Sequence, residues 1–145
     1  SDVYKRQDMY SSGAFADTAI TSVEIKDGSE GLTINGSTFK NCKMLESVSL
    51  SDRIVSISYY AFENDSNLSS VEFKEVQSNL TIGDSAFHNT AIKEVKLPSK
   101  TKTIGRYAFK DCAKLEKIEF NEGLTSIGNE AFGNDTSLGG VLSIP

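Results

Sequence analysis

The sequence contains no tryptophan and a single histidine, His88, and its 145 residues include only two cysteines and two prolines. With one histidine and no isolated nucleophile, a Ser/His/Asp or Cys/His catalytic arrangement has no residue to start from. No apolar run approaches the ~20 residues that a membrane-spanning helix needs, and the N-terminus lacks the apolar stretch of a secretory signal. We therefore expect a chain with no membrane span, no catalytic residues and no bound cofactor.

Positive charge is also limited. Lys and Arg total 15 against 20 Asp and Glu, which gives a formal net charge of −5. No basic stripe is present that could neutralise a phosphate backbone, so nucleic acid is not an expected partner. With 38% hydrophobic and 24% charged residues, the composition fits one soluble domain with a modest core.

The first seven residues, SDVYKRQ, share nothing with the rest of the chain. Residues 2–7 read as a translation of a transposon-end adapter used in sequencing libraries. We therefore interpret residues 1–7 as an adapter scar and expect them to be disordered. Because the chain begins without Met and stops at LSIP, we treat residues 8–145 as one repeat domain and expect it to be a fragment of a longer protein.

Six phenylalanines recur through the chain at steps of 22 to 25 residues. Ala precedes five of them, Ile lies five residues before five of them, and Asn or Asp lies two residues after every one. Self-similarity at such a period is the signature of a stacked repeat architecture. The anchors of the first to sixth repeats are Phe15, Phe39, Phe62, Phe87, Phe109 and Phe132.

A second block, apolar-x-x-apolar-x-apolar, follows each phenylalanine. Its last three residues alternate with period two and favour β-branched or aromatic types, which predicts a short strand with one face inward. The sixth block, Leu138 to Ile144, carries one extra residue. The inward residues expected in the first five blocks are Val23 and Ile25, Val48 and Leu50, Val71 and Phe73, Val95 and Leu97, and Ile118 and Phe120.

A unit of ~23 residues with one strand and one short second element cannot bury its apolar face alone, so neighbouring units must stack into a solenoid. We predict an α/β solenoid of about six coils, with parallel strands ~4.8 Å apart, an interior column of phenylalanine rings and one helical turn per coil. The Asn or Asp after each phenylalanine suits a left-handed conformation at the end of that turn. Gly83, Gly105 and Gly128 mark either a bend with positive φ or a crowded backbone.

Three stretches, IGDSAFHNTAIKEVKLP, IGRYAFKDCAKLEKIEF and IGNEAFGNDTSL, resemble the BspA-like leucine-rich repeats, whose pattern runs roughly I-G-x-x-A-F-x-x-C-x-x-L-x-x-I-x-L-P. The resemblance covers Met9 to Pro145, although the Cys is kept only at Cys42 and Cys112. It implies a leucine-rich-repeat solenoid from a cell-surface or secreted protein that mediates adhesion and binds extracellular or host proteins. The asparagine ladder of horseshoe-shaped leucine-rich repeats is not expected, because its slot holds Arg53, Val76, Lys100 and Gly123.

The outward side chains of the predicted strands form the candidate binding face, because solenoids usually bind there. Lys96 should lie between two glutamates in a charge ladder of ~0.2–1 kcal/mol per pair. No aromatic hot spot is visible among these residues; an alternative aromatic cluster, Tyr59, Tyr60 and Tyr107, has the structural role of covering the outer wall. The candidates for the face are Glu24, Ser49, Glu72, Lys96, Glu119 and Lys117, flanked by Ser47, Ser70 and Glu94.

Other polar residues have structural interpretations. His88 follows Phe87 directly, at a position that is Lys, Glu or Gly in other repeats, so we expect it to be exposed. Cys42 and Cys112 occupy equivalent positions three coils apart, so ~14 Å should separate them, beyond the ~7 Å that a disulfide spans, and we expect buried free thiols. Recurrent Asn-Asp pairs could share calcium, but the spacing of calcium-binding solenoids is absent. We therefore favour turn capping and predict no metal site.

Two functions remain open at this stage. An adhesion module predicts a distinct patch on the strand face and binding by this segment alone. A passive spacer that displays another domain predicts a featureless surface and no partner. Because terminal repeats normally need polar caps, the isolated chain is also expected to fray or to associate edge to edge through its last coil.

Overall fold

Ten short strands, all paired in parallel, build the molecule in a computed structural model that describes residues 12–145. The interpreted adapter scar and Tyr10, which fills the Ile slot of the first repeat, lie outside the described residues. The strands are β1 (Ser22–Glu24), β2 (Leu32–Ile34), β3 (Ser47–Leu50), β4 (Ile54–Ile57), β5 (Ser70–Phe73), β6 (Leu80–Ile82), β7 (Glu94–Lys96), β8 (Thr101–Ile104), β9 (Lys117–Glu119) and β10 (Ser126–Ile127).

Most repeats contribute two strands, where the sequence predicted one. The odd-numbered strands are those predicted after each phenylalanine; their outward side is the strand face. The even-numbered strands end on the recurrent Ile and form one sheet in the order β10-β8-β6-β4-β2, the continuous sheet. The ten strands make about five turns, against the six coils expected, because the Ile slot of the first repeat is not described and the sixth repeat adds no odd strand.

The predicted helical turn is a pair of linked tight turns. In the fourth repeat, the Ala86 N–H donates to the Gly83 carbonyl and the His88 N–H to the Ser85 carbonyl, both at 3.2 Å. Ser85 and Asn89 have φ of 56° and 58°, and a left-handed residue at this spacing interrupts helical geometry. Residues 12–145 accordingly contain no helix. The left-handed Asn or Asp is confirmed at Asp17, Asn41, Asn64, Asn89, Asp111 and Asn134.

Each corner is tied to the next by a row of backbone hydrogen bonds. The N–H groups of Ser85, Phe87 and Asn89 donate to three carbonyls of the fifth repeat at 2.8, 2.7 and 2.9 Å. Because the bonds involve only the main chain, they form whatever side chain occupies the position. This explains why a serine in one repeat can be a tyrosine in the next.

The phenylalanine column is confirmed. The rings of successive anchors lie 5.1 to 5.6 Å apart between centroids and 3° to 12° from parallel. Phe62, Phe87 and Phe109 are fully buried, and the alanines that precede them are buried as well. The small side chain beside each ring allows neighbouring coils to approach closely.

The glycines after the Ile residues reflect crowding, and none of the three has a positive φ. A Cβ on Gly105 would lie 2.6 Å from the Asp84 nitrogen, and one on Gly128 would lie 2.5 Å from the Arg106 nitrogen. Such distances leave no room for a side chain against the preceding coil. Of the two explanations open from the sequence, the crowded backbone is therefore correct.

The strand expected in the sixth block is not formed. Val141 is 95% exposed, and residues 139–145 are all exposed without strand pairing. Two glycines, Gly139 and Gly140, follow Leu138, and Gly140 has a φ of 79°. Glycine disfavours extended strands and has no side chain to pack, which the periodicity of the surrounding apolar residues did not reveal.

Candidate functional site

The strand face presents the candidate residues outward, as predicted. Glu24, Glu72, Lys96 and Glu119 are exposed and Ser49 is half-buried, while the residues between them point into the core. Lys117 lies on β9 two residues before Glu119 and is also exposed. All six therefore occupy one side of the solenoid.

The register on β7 and β9 produces a block of alternating charge. Glu94 lies directly beside Lys117, and Lys96 lies directly beside Glu119. The predicted neighbour on the other side, Glu72, sits on β5, which is not paired with β7. Within residues 12–145, Lys96 makes no close ion pair with either glutamate, so the expected charge ladder consists of adjacent but unbonded side chains.

The hydrogen-bonded ladder of the strand face breaks between the third and fourth repeats. It divides into β1-β3-β5 and β7-β9, whereas the continuous sheet pairs β4 with β6 across the same junction. At this break the corner, which runs from the phenylalanine to the next core residue, becomes one residue shorter. Leu68 lies six positions after Phe62, whereas Ile92 lies five positions after Phe87. At this step the Ala91 N–H donates to the Leu68 carbonyl at 2.9 Å.

The break opens a cleft of about 380 Å³. Four of the six candidates line it, namely Glu72, Lys96, Lys117 and Glu119, whereas Glu24 and Ser49 lie on β1 and β3, away from it. The remaining lining residues are Val71, Phe73, Glu94 and Val95.

Phe73 is a contributor that the sequence analysis missed. The strand alternation predicts that Phe73 faces the core, but it is only partly buried and lines the cleft. Its ring lies 6.0 Å from that of Phe87 at an angle of 65°. The cleft thus has an aromatic edge, which no pattern in a single repeat indicates, because it arises from the missing pairing between β5 and β7.

His88 is not exposed as predicted. Its Nδ1 lies 2.9 Å from Glu63 Oε2 and its Nε2 lies 2.9 Å from Asp111 Oδ2, so the ring bridges the third and fifth repeats. Partial burial favours the neutral ring, but the hydrogen bonds to the two carboxylates outweigh it and raise the pKa of His88. The equivalent positions in the second, third and fifth repeats carry Lys40, Glu63 and Lys110, and the sequence spacing alone could have indicated such a ladder of opposite charges.

A ladder of amide side chains runs along the left-handed corner. Asn64 Nδ2 donates to Asn41 Oδ1 at 3.2 Å, Asn89 Nδ2 to Asn64 Oδ1 at 3.0 Å, and Asn134 Nδ2 to Asp111 Oδ1 at 2.9 Å. This ladder lies at a different position in the repeat from the asparagine ladder of horseshoe-shaped leucine-rich repeats, which the sequence does not predict here. The invariant Asn or Asp column was visible in the sequence, but only its backbone conformation was predicted.

Two carboxylates are buried in a column of polar residues three positions after each phenylalanine. Asp65 Oδ1 accepts the Cys42 N–H at 2.8 Å, and Asp135 Oδ1 accepts the Cys112 N–H at 2.8 Å. Burial raises the pKa of Asp65 to about 8 and that of Asp135 to about 7. The prediction of turn capping is confirmed, with the difference that each carboxylate accepts a backbone N–H of the preceding repeat. In this column the residue types Thr, Cys and Asp recur every three repeats, at Thr18, Cys42, Asp65, Thr90, Cys112 and Asp135.

Both thiols are free and fully buried, as predicted. Cys112 Sγ lies 3.3 Å from the Thr90 hydroxyl oxygen and 3.3 Å from the Phe87 carbonyl. Burial raises the pKa of Cys112 to about 11, so the thiol is protonated at neutral pH. A protonated, enclosed thiol contributes packing and is a poor nucleophile.

The tyrosines do not form one cluster. The rings of Tyr59 and Tyr60 meet at 85° with 5.7 Å between centroids, while Tyr107 lies in the fifth repeat, two repeats further along. Lys40 Nζ lies 5.1 Å above the Tyr60 ring, and Lys110 Nζ stands at the same distance above the Tyr107 ring. Tyr59 and Tyr60 therefore cover the outer wall where the second and third repeats meet, and Tyr107 covers that of the fifth repeat.

In the part of the chain that the structure describes, no cluster of three or more His, Cys, Asp or Glu side chains is arranged to hold a metal ion. The same residues contain no helix that could span a membrane.

Comparisons with known proteins agree with this geometry. Residues 9–139 match the profile described as "BspA type Leucine rich repeat region" in six copies. The chain is similar to a crystal structure of a leucine-rich repeat protein from Bacteroides ovatus, at 25% identity and a TM-score of 0.71. The match covers 82% of this chain and 30% of that protein, so the chain spans less than a third of its length. No curated protein sequence matches the chain.

Proposed function

Because the chain belongs to the BspA-type leucine-rich repeat family, we propose that it is a non-enzymatic protein-binding module that acts in adhesion at a cell surface. Its partner, an extracellular protein, contacts the strand face at the cleft between β5 and β7. The cleft has charged walls of both signs and an aromatic edge at Phe73. Such a mixture suits a protein surface, which offers charged and apolar groups together.

The break in the strand-face ladder is the observation that supports binding over a passive spacer. A spacer needs only uniform stacking, and the continuous sheet already provides that across the same junction. An interrupted ladder instead creates one distinct patch. Concave sites with a few convergent polar groups are the usual places for ligands.

Binding can be tested with the purified chain and a panel of immobilised extracellular-matrix proteins at physiological salt. Glu72→Lys should weaken any observed binding by at least about tenfold, because it reverses a charge on the cleft wall. Glu122→Lys changes the net charge equally at an exposed loop residue outside the cleft, and it should leave binding unchanged. No binding by the wild type, or equal losses in the two variants, would favour the spacer.

A further inference from the structure

The outward residues of the strand face form two rows. The pairing register aligns them across β1-β3-β5 and across β7-β9. The first row consists of Ser22, Ser47, Ser70, Glu94 and Lys117. The second row, two residues further along each strand, consists of Glu24, Ser49, Glu72, Lys96 and Glu119.

The four residues on β7 and β9 form a neutral quartet in which every neighbour has the opposite charge. Glu94 lies beside Lys117 across the strands and two residues from Lys96 along its own strand. All four side chains are exposed, and none makes an ion pair within residues 12–145; the Lys96 charge acts on Glu75 only at longer range. The charges are therefore available to an external partner.

Such a quartet is complementary to itself. A two-fold axis parallel to the stack and midway between the rows places the first row of one copy opposite the second row of another. Glu94 then faces Lys96 of the second copy, and Lys117 faces Glu119. In the other three strands a serine faces either a serine or a glutamate, so no like charges meet anywhere along the face.

We propose that the strand face binds a second copy of this chain, face to face, about a two-fold axis parallel to the solenoid. The proposal rests on the proposed binding function and gives it a homophilic form. A two-fold contact uses the same patch on both copies, and the alternation of charge meets that condition without any change of conformation. A partner with one dominant charge would instead meet like charges at two of the four positions.

The contact should be weak and sensitive to salt. Two rows on five short strands offer less surface than the ~800 Å² per partner of a stable interface, and exposed ion pairs are screened as ionic strength rises. The net charge of −5 on each copy also opposes approach. Association should therefore become detectable only as the protein concentration approaches about 1 mM, or where many copies share one surface.

Sedimentation equilibrium of the whole chain at low and high salt tests the proposal. The wild type should dimerise at low salt and dissociate in 0.5 M NaCl, a concentration of about three times physiological ionic strength. Lys96→Glu should lower the association constant at least about tenfold, because it creates two Glu–Glu contacts by symmetry. Lys114→Glu makes the same charge change at an exposed corner residue outside the face and should have no such effect.

The sharpest variant inverts the whole quartet: Glu94→Lys, Lys96→Glu, Lys117→Glu and Glu119→Lys. Its net charge is unchanged and its quartet is still self-complementary, so it should dimerise like the wild type. A mixture with the wild type should form no mixed dimer, because every facing pair then has like charges. Circular dichroism confirms that the variants are folded.

A wild type that stays monomeric at about 1 mM in low salt, mixed dimers with the inverted variant, or association that ignores both salt and Lys96→Glu would each overturn the proposal. Association that is insensitive to both salt and Lys96→Glu is the result expected if the solenoids stack end to end instead. If dimerisation fails while matrix-protein binding remains sensitive to Glu72→Lys, the homophilic form is wrong and the binding function stands.

Discussion

Replacing the buried Asp65 by Asn should flatten the dependence of stability on pH. The side chain is fully buried, and one of its oxygens has no hydrogen-bond partner. Burial raises the pKa of this carboxyl from 3.8 to about 8, against the opposing effects of the Cys42 N–H and the Lys43 charge. The folded protein therefore binds a proton that the unfolded chain has already lost at neutral pH.

The sign and size of the effect follow from linkage. The stability that the neutral carboxyl contributes is fully present below its unfolded pKa of 3.8 and is lost as pH rises through about 8. Each unit of pKa difference corresponds to ~1.4 kcal/mol, so the wild type should lose about 3–4 kcal/mol from this group between pH 5 and pH 8. Asn cannot ionise, and its side-chain oxygen can still accept the Cys42 N–H.

Urea unfolding followed by far-UV circular dichroism at pH 5 and pH 8 measures this. At pH 5, Asp65→Asn should be less stable than the wild type by ~1–3 kcal/mol, because the amide buries a donor without an acceptor. At pH 8 the order should reverse. Asp135 still titrates in both proteins, and the exposed Glu122→Gln serves as a surface control. Equal losses between the two pH values in wild type and Asp65→Asn would refute the assignment of a protonated Asp65.

Three further variants test other parts of the fold. Phe87→Ala removes a fully buried ring from the middle of the column and should cost ~3–5 kcal/mol in urea unfolding; a cost below about 1 kcal/mol would contradict tight stacking. Gly105→Ala should lower Tm, because its Cβ would lie 2.6 Å from a backbone nitrogen, whereas Gly139→Ala meets nothing within 4 Å and should not. His88 should titrate above 6.5 by NMR and shift down in Glu63→Gln. The stabilisation from protonated His88 is present below the unfolded pKa of 6.5 and is lost as pH rises through the folded pKa. If the pKa of His88 were the same in Glu63→Gln as in the wild type, the bridge would be contradicted.

The sequence was sufficient for the features that repeat in every coil. The column of phenylalanines, the inward-facing strand residues and the left-handed Asn or Asp depend on contacts between identical positions of successive repeats, so one motif predicts them all. The even-numbered strands were missed because segments such as LTI and TKTI are short and their alternation is weak. The prediction of a helical turn was wrong because a second left-handed residue, such as Ser85 or Tyr107, interrupts the turn and carries no consistent sequence signal.

Features that depend on differences between repeats were not predictable in this way. The cleft coincides with a corner that is one residue shorter in the fourth repeat than in the third, and only the stacked structure shows that the odd strands fail to pair there. His88 is half-buried because its ring bridges carboxylates of two other repeats, a contact that the sequence indicates only when aligned positions of neighbouring repeats are compared. The outward placement of Lys96 and Glu119 was predictable, whereas the absence of pairing with Glu72 was not.

The missing ladder between the third and fourth repeats also has a mechanical consequence. When a solenoid is stretched along its axis, the junctions between coils carry the load in series, and the one with the fewest bonds yields first. Here that junction keeps its corner bonds, its ring stacking and the pairing of β4 with β6, but it alone among the first five repeats lacks pairing on the strand face. Within those five repeats, extension should therefore begin at the cleft, so a pulling force would alter the strand face before it separated any other pair of them.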